Sequence, residues 1–261
     1  MKRLHFEYDM HLTYSEPAKT SLFTIKCMPQ STDRQRVEAL DIRIEPADSM
    51  EEGRDSFGNR LIFGNVNREH DRFGFHITGS VLTGLSDAET SERENMLGAY
   101  RYPHGLTVPG ESLKAYLKQL APEALGSALE KGIFLMHSLY RDFTYEKNVT
   151  NVNTGAEEAW RLGKGVCQDY AHILVTLCRM QGIPARYVAG MLIAEGYSHA
   201  WVEILHGNRW YALDPTNDLV VSDSHIKLGV GRDAADCSIN RGIVTGGGKQ
   251  QQQVRVVVKE D

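Results

Sequence analysis

Large and polar side chains alternate through much of the first hundred residues. Leu4, Phe6, Tyr8, Met10 and Leu12 mark one face of a strand over Leu4–Tyr14. Ser21–Met28 repeats the pattern and Pro29 ends it, while Gln35–Pro46 is extended in character with Val37, Leu40, Ile42 and Ile44. Asp55-Ser-Phe-Gly58-Asn59 reads as a turn ahead of a strand over Arg60–Val66, and Phe73–Leu82 alternates again. Short strands punctuated by Gly, Pro, Asn and Asp predict an antiparallel sandwich or barrel-like sheet. After Pro103-His-Gly105 the period lengthens to three or four. Helices are expected over Glu111–Gln119 and Ala124–Phe143, and over a short stretch opened by a Thr154/Glu157 capping box and closed by Gly163. The clearest helix is Cys167–Met180, with an apolar stripe of Tyr170, Ile173, Leu174 and Leu177, stopped by Gly182 and Pro184. Strands follow at Ala185–Ile193, His199–Leu205 and Arg209–Leu213, and a last one at Val254–Val258 after a Gly246-Gly-Gly248 loop.

This order predicts an α+β protein. An N-terminal β-rich domain is expected over 1–105, a core over 106–225 and a C-terminal extension with a terminal strand over 226–261. The chain has 261 residues, of which 41% are hydrophobic and 24% charged, the balance of a globular protein. Its net charge of −5 and the lack of a basic stripe exclude nucleic acid as the expected partner. His5, Glu7, Asp9 and His11 interrupt any leader-like apolar run, and no stretch approaches the roughly 18 apolar residues of a membrane span. A cytoplasmic protein without membrane contact is expected.

Four cysteines remain to be assigned: Cys27, Cys167, Cys178 and Cys237, with no CxxC spacing. Cys178 follows Cys167 by eleven residues, about 16 Å along one helix, so no disulfide joins them. Cys27, Cys178 and Cys237 read as packing residues. Cys167 differs, because it follows a Gly-containing loop and opens a helix. There the unpaired first-turn amides and the macrodipole favour an anion, the form in which a thiol is nucleophilic. His199 begins one strand and Asp214 ends the next, across a His206-Gly-Asn208 turn, so a carboxylate can orient the imidazole. That is a nucleophile, a base and an orienter in the order Cys, His, Asp. Each context alone is ordinary; three of them in compatible order are not.

The combination resembles the transglutaminase-like superfamily in its bacterial form. The resemblance rests on Gly165-Val-Cys167-Gln-Asp-Tyr-Ala-His, Gly182-Ile-Pro-Ala-Arg186-Tyr-Val, Ser198-His199-Ala-Trp201-Val-Glu and Leu213-Asp214-Pro-Thr-Asn217. Outside the core it extends to the Asp55–Asn59 turn, to Val230-Gly-Arg232-Asp-Ala-Ala-Asp236 and to Arg241-Gly242. It implies a papain-like core with Cys167 as nucleophile, His199 as base and Asp214 as its orienter. Members include transglutaminases, peptidases, amidases and scaffolds that have lost activity; here all three triad positions are filled. A peptide or amide substrate is implied, with a peptidase or amidase favoured over a protein-glutamine transamidase and over a non-catalytic interaction module.

The Cys167 N–H is the expected first oxyanion donor, and Tyr145 is the candidate for a side-chain donor. Trp160 is expected to be core packing, and Gln168 to point outward. Asp169 suits the helix dipole, with a link to Arg186 conceivable, and Glu203 receives no role. The histidines show no HxxxH or HExxH spacing, so neither a metal nor another cofactor is expected.

Overall fold

A computed structural model describes residues 1–90 and 97–261 of the chain. The N-terminal region forms β1 (Lys2–Ile25), β2 (Gln35–Glu45), β3 (Ser49–Arg54), β4 (Arg60–Val66), β5 (His70–Thr83) and the short β6 (Ala88–Thr90). Next come α1 (Leu97–Arg101), α2 (Glu111–Leu120), α3 (Ala128–Asp142), β7 (Thr144–Tyr145), α4 (Ala156–Leu162), β8 (Lys164–Gly165) and α5 (Cys167–Met180). The remainder is β9 (Ala185–Leu192), β10 (Ala194–Gly196), β11 (His199–His206), β12 (Arg209–Asp214), β13 (Leu219–Val220), β14 (His225–Gly231), β15 (Asn240–Gly246) and β16 (Gln250–Glu260). Among the described residues, two antiparallel sheets result, beside a small parallel pair of β7 and β8. One runs β10-β16-β1-β4-β3, with β5, β2 and β15 joined to it; the other runs β13-β12-β11-β9-β14, with β6 on β12.

The first two expected strands are one. β1 runs unbroken through Ser15–Lys19, because backbone bonds from Ser15 to Lys249 and from Glu16 to Gly247 keep that stretch extended. Its alternation buries Leu4, Phe6, Tyr8 and Met10 in the N-terminal core. The facing loop can curl this tightly because Gly246, Gly247 and Gly248 all take positive φ (82°, 85° and 61°), which other residues rarely adopt.

Strand pairing crosses the expected divisions at 105 and 225. β6, placed with the N-terminal domain by the sequence, lies on β12 of the core sheet. β14 starts at His225 and lies on β9 of the same sheet, whereas β15 and β16 both return to β1. The two layers also share a core, since Met191, Ile226 and Leu228 pack among the N-terminal apolar residues. Asn59, buried at the end of the Asp55 turn, fastens them further. Its side chain donates to the Val230 carbonyl (2.7 Å) and accepts from the Val230 amide (2.8 Å), while Asp55 accepts from the Phe57 and Asn59 amides.

Two helix starts differ from expectation. α3 begins later, at Ala128, because Ser127 and Glu130 form a capping box and Pro122 sits in a separate short turn before it. The Thr154/Glu157 pair is not a box. Gly155 is the cap of α4, Thr154 Oγ1 accepts from Asn151, and the Glu157 carboxylate crosses to the start of α2. There it accepts from the amides of Gly110 (2.9 Å), Ser112 (3.0 Å) and Leu113 (3.1 Å), three groups the helix cannot satisfy itself. Glu157→Ala is therefore expected to cost about 1–2 kcal/mol, measured as a lower urea midpoint with an unchanged slope. An unchanged midpoint would show that water serves these amides equally well.

Candidate active site

α5 lies against β11 and β9, its apolar stripe packed with Ala185, Ala189, Ala200, Val202 and Ile204 of those strands. The loop that delivers its first residue is tightly held. The Asp169 carboxylate, fully buried, accepts from the Val166 amide (2.8 Å) and the Thr150 hydroxyl (2.6 Å). Burial raises the pKa of this group, and those two hydrogen bonds oppose the rise. Only glycine fits at 165, because a Cβ there would stand 2.4 Å from Asp169 Oδ2. The expected link from Asp169 to Arg186 is not made, since Arg186 pairs with Glu203 and Glu89 instead. Cys167 emerges from it as the first residue of α5, partly exposed, while Cys27, Cys178 and Cys237 are buried.

β11 and β12 form a tight hairpin in which Trp201 opposes Asp214 across the extrapolated register. His199 and Asp214 therefore lie diagonally on one face, and His199 Nε2 meets Asp214 Oδ2 at 2.8 Å. Cys167 is the other group that acts on this ring, and its interaction with His199 helps to raise the imidazole pKa. Burial disfavours the imidazolium, but the bonds to Asp214 and Cys167 outweigh it and raise the His199 pKa from 6.5 to about 9. Asp214 is completely buried, which disfavours its charge. Its hydrogen bonds to His199, His225 and Asn217 nonetheless hold it well below the usual carboxylate range. The structure thus brings Cys167, His199 and Asp214 together.

A fourth residue joins them that the sequence did not single out. His225, at the start of β14, places Nε2 3.0 Å from the same Asp214 oxygen. The nearby Trp201 ring meets His225 edge-on at 5.1 Å. The donor atoms of His199, Asp214 and His225 lie within 4.8 Å of one another, a spacing a metal ion could use, although hydrogen bonds already join both histidines to the carboxylate. A second such group, Glu7, Asp9 and His76, sits partly exposed on the N-terminal sheet, where His76 pairs with Asp9 at 2.6 Å.

Tyr145 belongs to β7, which pairs with β8 just before Cys167, and its side chain is 48% exposed. Burial and the Cys167 charge both raise its pKa, which places it in the electrostatic neighbourhood of the sulfur. Trp160 packs in the core on Tyr116, with ring centres 4.1 Å apart. Gln168 reaches the Asn151 carbonyl on the surface at 3.4 Å.

Two family descriptions match this architecture. That of the transglutaminase-like superfamily matches residues 117–215, and that of the bacterial transglutaminase-like N-terminal region matches residues 4–82. The chain belongs to the transglutaminase-like superfamily. An uncharacterized protein of Mycobacterium leprae is 27% identical to it over 99% of both chains. An uncharacterized protein of Mycobacterium tuberculosis is 28% identical over 88% of this chain and 84% of its own. The structure of a candidate cysteine protease from Cytophaga hutchinsonii shares the fold, with a TM-score of 0.80 and 20% identity over 99% of this chain and 90% of that one. The α+β fold is that of a transglutaminase-like core behind an N-terminal β domain.

The face of this transglutaminase-like core that carries His199 and Asp214 continues into a buried charge network. Glu203, given no role from sequence, faces Arg186 in register and binds its Nε at 2.7 Å. Lys227 reaches both Glu203 and Glu89, and Arg186 also lies over the Trp210 ring at 4.3 Å. Burial opposes the Glu203 charge, but Lys227 and Arg186 hold its carboxyl well below the ordinary value. A cavity of about 630 Å³ opens beside this network between the two layers, lined by Arg54, Phe57, Tyr100, Arg186 and Trp210 among others. Cys167, His199 and Asp214 do not line it. Among the described residues, no helix is long and apolar enough to cross a membrane.

Proposed function

We propose that this chain is a cysteine peptidase or amidase that works through a thioester acyl-enzyme. The observation that carries the reading is His199 held between Asp214 and the Cys167 thiol, with its pKa raised to about 9. Such an imidazole stays protonated at neutral pH and pairs with a thiolate. In the proposed cycle the Cys167 sulfur attacks the carbonyl carbon of a peptide or amide. The His199 imidazolium gives its proton to the departing nitrogen, the C–N bond breaks, and a thioester remains. Neutral His199 then takes a proton from water as the oxygen attacks the thioester; the C–S bond breaks, the carboxylic acid leaves, and the thiolate–imidazolium pair is restored. The Cys167 amide at the start of α5 is the first oxyanion donor, and Tyr145 is the side-chain candidate for the second.

Water completes this cycle without any further site, which favours hydrolysis over transfer to an amine. The substrate is a peptide or amide, and the compartment a reducing cytoplasm, in keeping with four unpaired thiols. Mass spectrometry of a peptide and amide library incubated with wild type and Cys167→Ala, with and without a primary amine, tests the reading. Cysteine-dependent products bearing new free carboxylates are expected. Amine-bearing products in their place would make the protein a transamidase, and identical patterns for the two proteins would remove the enzymatic reading.

A further inference from the structure

We propose that His225 is a positioning residue of this site: by donating Nε2–H to Asp214 from a separate strand, it holds the carboxylate in the orientation that aims His199 at Cys167. The proposal rests on the catalytic reading of the triad. Five hydrogen bonds converge on Asp214. Oδ1 accepts from the amides of Thr216 (3.0 Å) and Asn217 (3.3 Å), and Oδ2 from Asn217 Nδ2 (2.7 Å), His199 (2.8 Å) and His225 (3.0 Å). The amides and Asn217 belong to the turn that follows Asp214, so they tie the carboxylate only to its own stretch of backbone. His199 is the group to be oriented. Among the described residues, His225 alone brings an anchor from elsewhere, from β14, which is separated from β12 by β11 and β9.

The tautomer suits this role. Ser224 Oγ lies 2.9 Å from His225 Nδ1 and can donate to it, which leaves the proton on Nε2 for Asp214. Charge suits it as well. A cationic ring would compete with the His199 imidazolium for the same oxygen. Burial lowers the pKa of His225, and the neighbouring His199 and Arg34 lower it further against the pull of Asp214, so the ring donates while neutral. Lys227, which with Arg34 lines a small void beside His225, adds to the cations around it. Packing fixes the ring plane, because His225 is 7% exposed and the Trp201 ring stands against it at 77°. The Trp201 ring in turn needs Gly190, where a Cβ would approach it to 2.3 Å.

The test is the rate of Cys167 alkylation by iodoacetamide between pH 5 and 10, followed by intact mass, in wild type, His225→Leu and His225→Gln. Leucine removes the donor at similar bulk, and the glutamine amide can restore it. His225→Leu is expected to slow alkylation near pH 6.5 about tenfold or more and to move the alkaline limb downward, as His199 loses its grip on Asp214. His225→Gln is expected to recover to within about threefold of wild type. A leucine variant with the wild-type profile, an upward shift of its limb, or a glutamine variant no better than leucine would each overturn the proposal. A wild-type Cys167 that titrates as a free thiol would instead overturn the catalytic reading, and this proposal with it. Should the variants not fold, ring nitrogen NMR of the wild type decides: a neutral Nε2–H tautomer of His225 is expected at pH 7. An Nδ1–H tautomer or a charged ring overturns the proposal.

Discussion

Cys167→Ala is expected to abolish covalent trapping by an acylating ester and to lower turnover at least ~1,000-fold, with the fold intact. The residue is partly exposed at a helix start, so alanine there removes one sulfur from the edge of the core and leaves no sealed cavity. A shift in the thermal midpoint of no more than a few degrees should accompany the loss. The other three thiols make the experiment clean. All are buried, and burial raises the pKa of Cys27 and Cys237 and pushes Cys178 up to about 12. None of them is a competing thiolate at neutral pH. A single adduct on wild type and none on the variant is the expected mass spectrum. An adduct that persists in Cys167→Ala would place the nucleophile elsewhere.

The parts of the site legible in the sequence are those whose geometry is local. A cysteine that opens a helix is visible from the stop signals around it. His199 and Asp214 are visible as neighbours because a tight hairpin returns the chain on itself within a few residues. His225 was not legible, since it reaches Asp214 only after β14 has docked on β9, and nothing around Ser224-His225 distinguishes it from a surface turn. Glu203 and Arg186 were seen separately but not as a pair, because their register depends on how β11 lies against β9. The same limit explains the fold. The alternation in β1 and the stripe of α5 were plain, whereas the return of β15 and β16 to a strand more than two hundred residues away was not. Glu157 shows how a correct local signal can be misassigned: the carboxylate does cap a helix, but the helix is α2.

Asp214→Asn is expected to move the alkaline limb of Cys167 reactivity from about pH 9 to below about 6.5, and to cut turnover by roughly 10²–10⁴-fold at neutral pH. His199 is buried, and burial alone would lower its pKa below 6.5; bonds and charge from Asp214 and Cys167 raise it to about 9. Asparagine keeps the shape and removes the charge. It also offers one carbonyl oxygen where five donors now share two carboxylate oxygens, so some of those donors lose their partner. Stability should change with pH in a defined way. The folded His199 binds its proton more tightly than the unfolded chain does. Its contribution is therefore complete below about pH 6.5 and is lost as pH rises through about 9. Asp214 acts in the opposite sense: its contribution is present above the unfolded carboxylate value of 3.8 and is lost as pH falls through the depressed folded value. Denaturation of Asp214→Asn should consequently depend less on pH at both ends of the range than that of wild type. A variant that kept the limb near pH 9 would show that Cys167 alone holds the His199 proton, and Asp214 would lose its place in the triad.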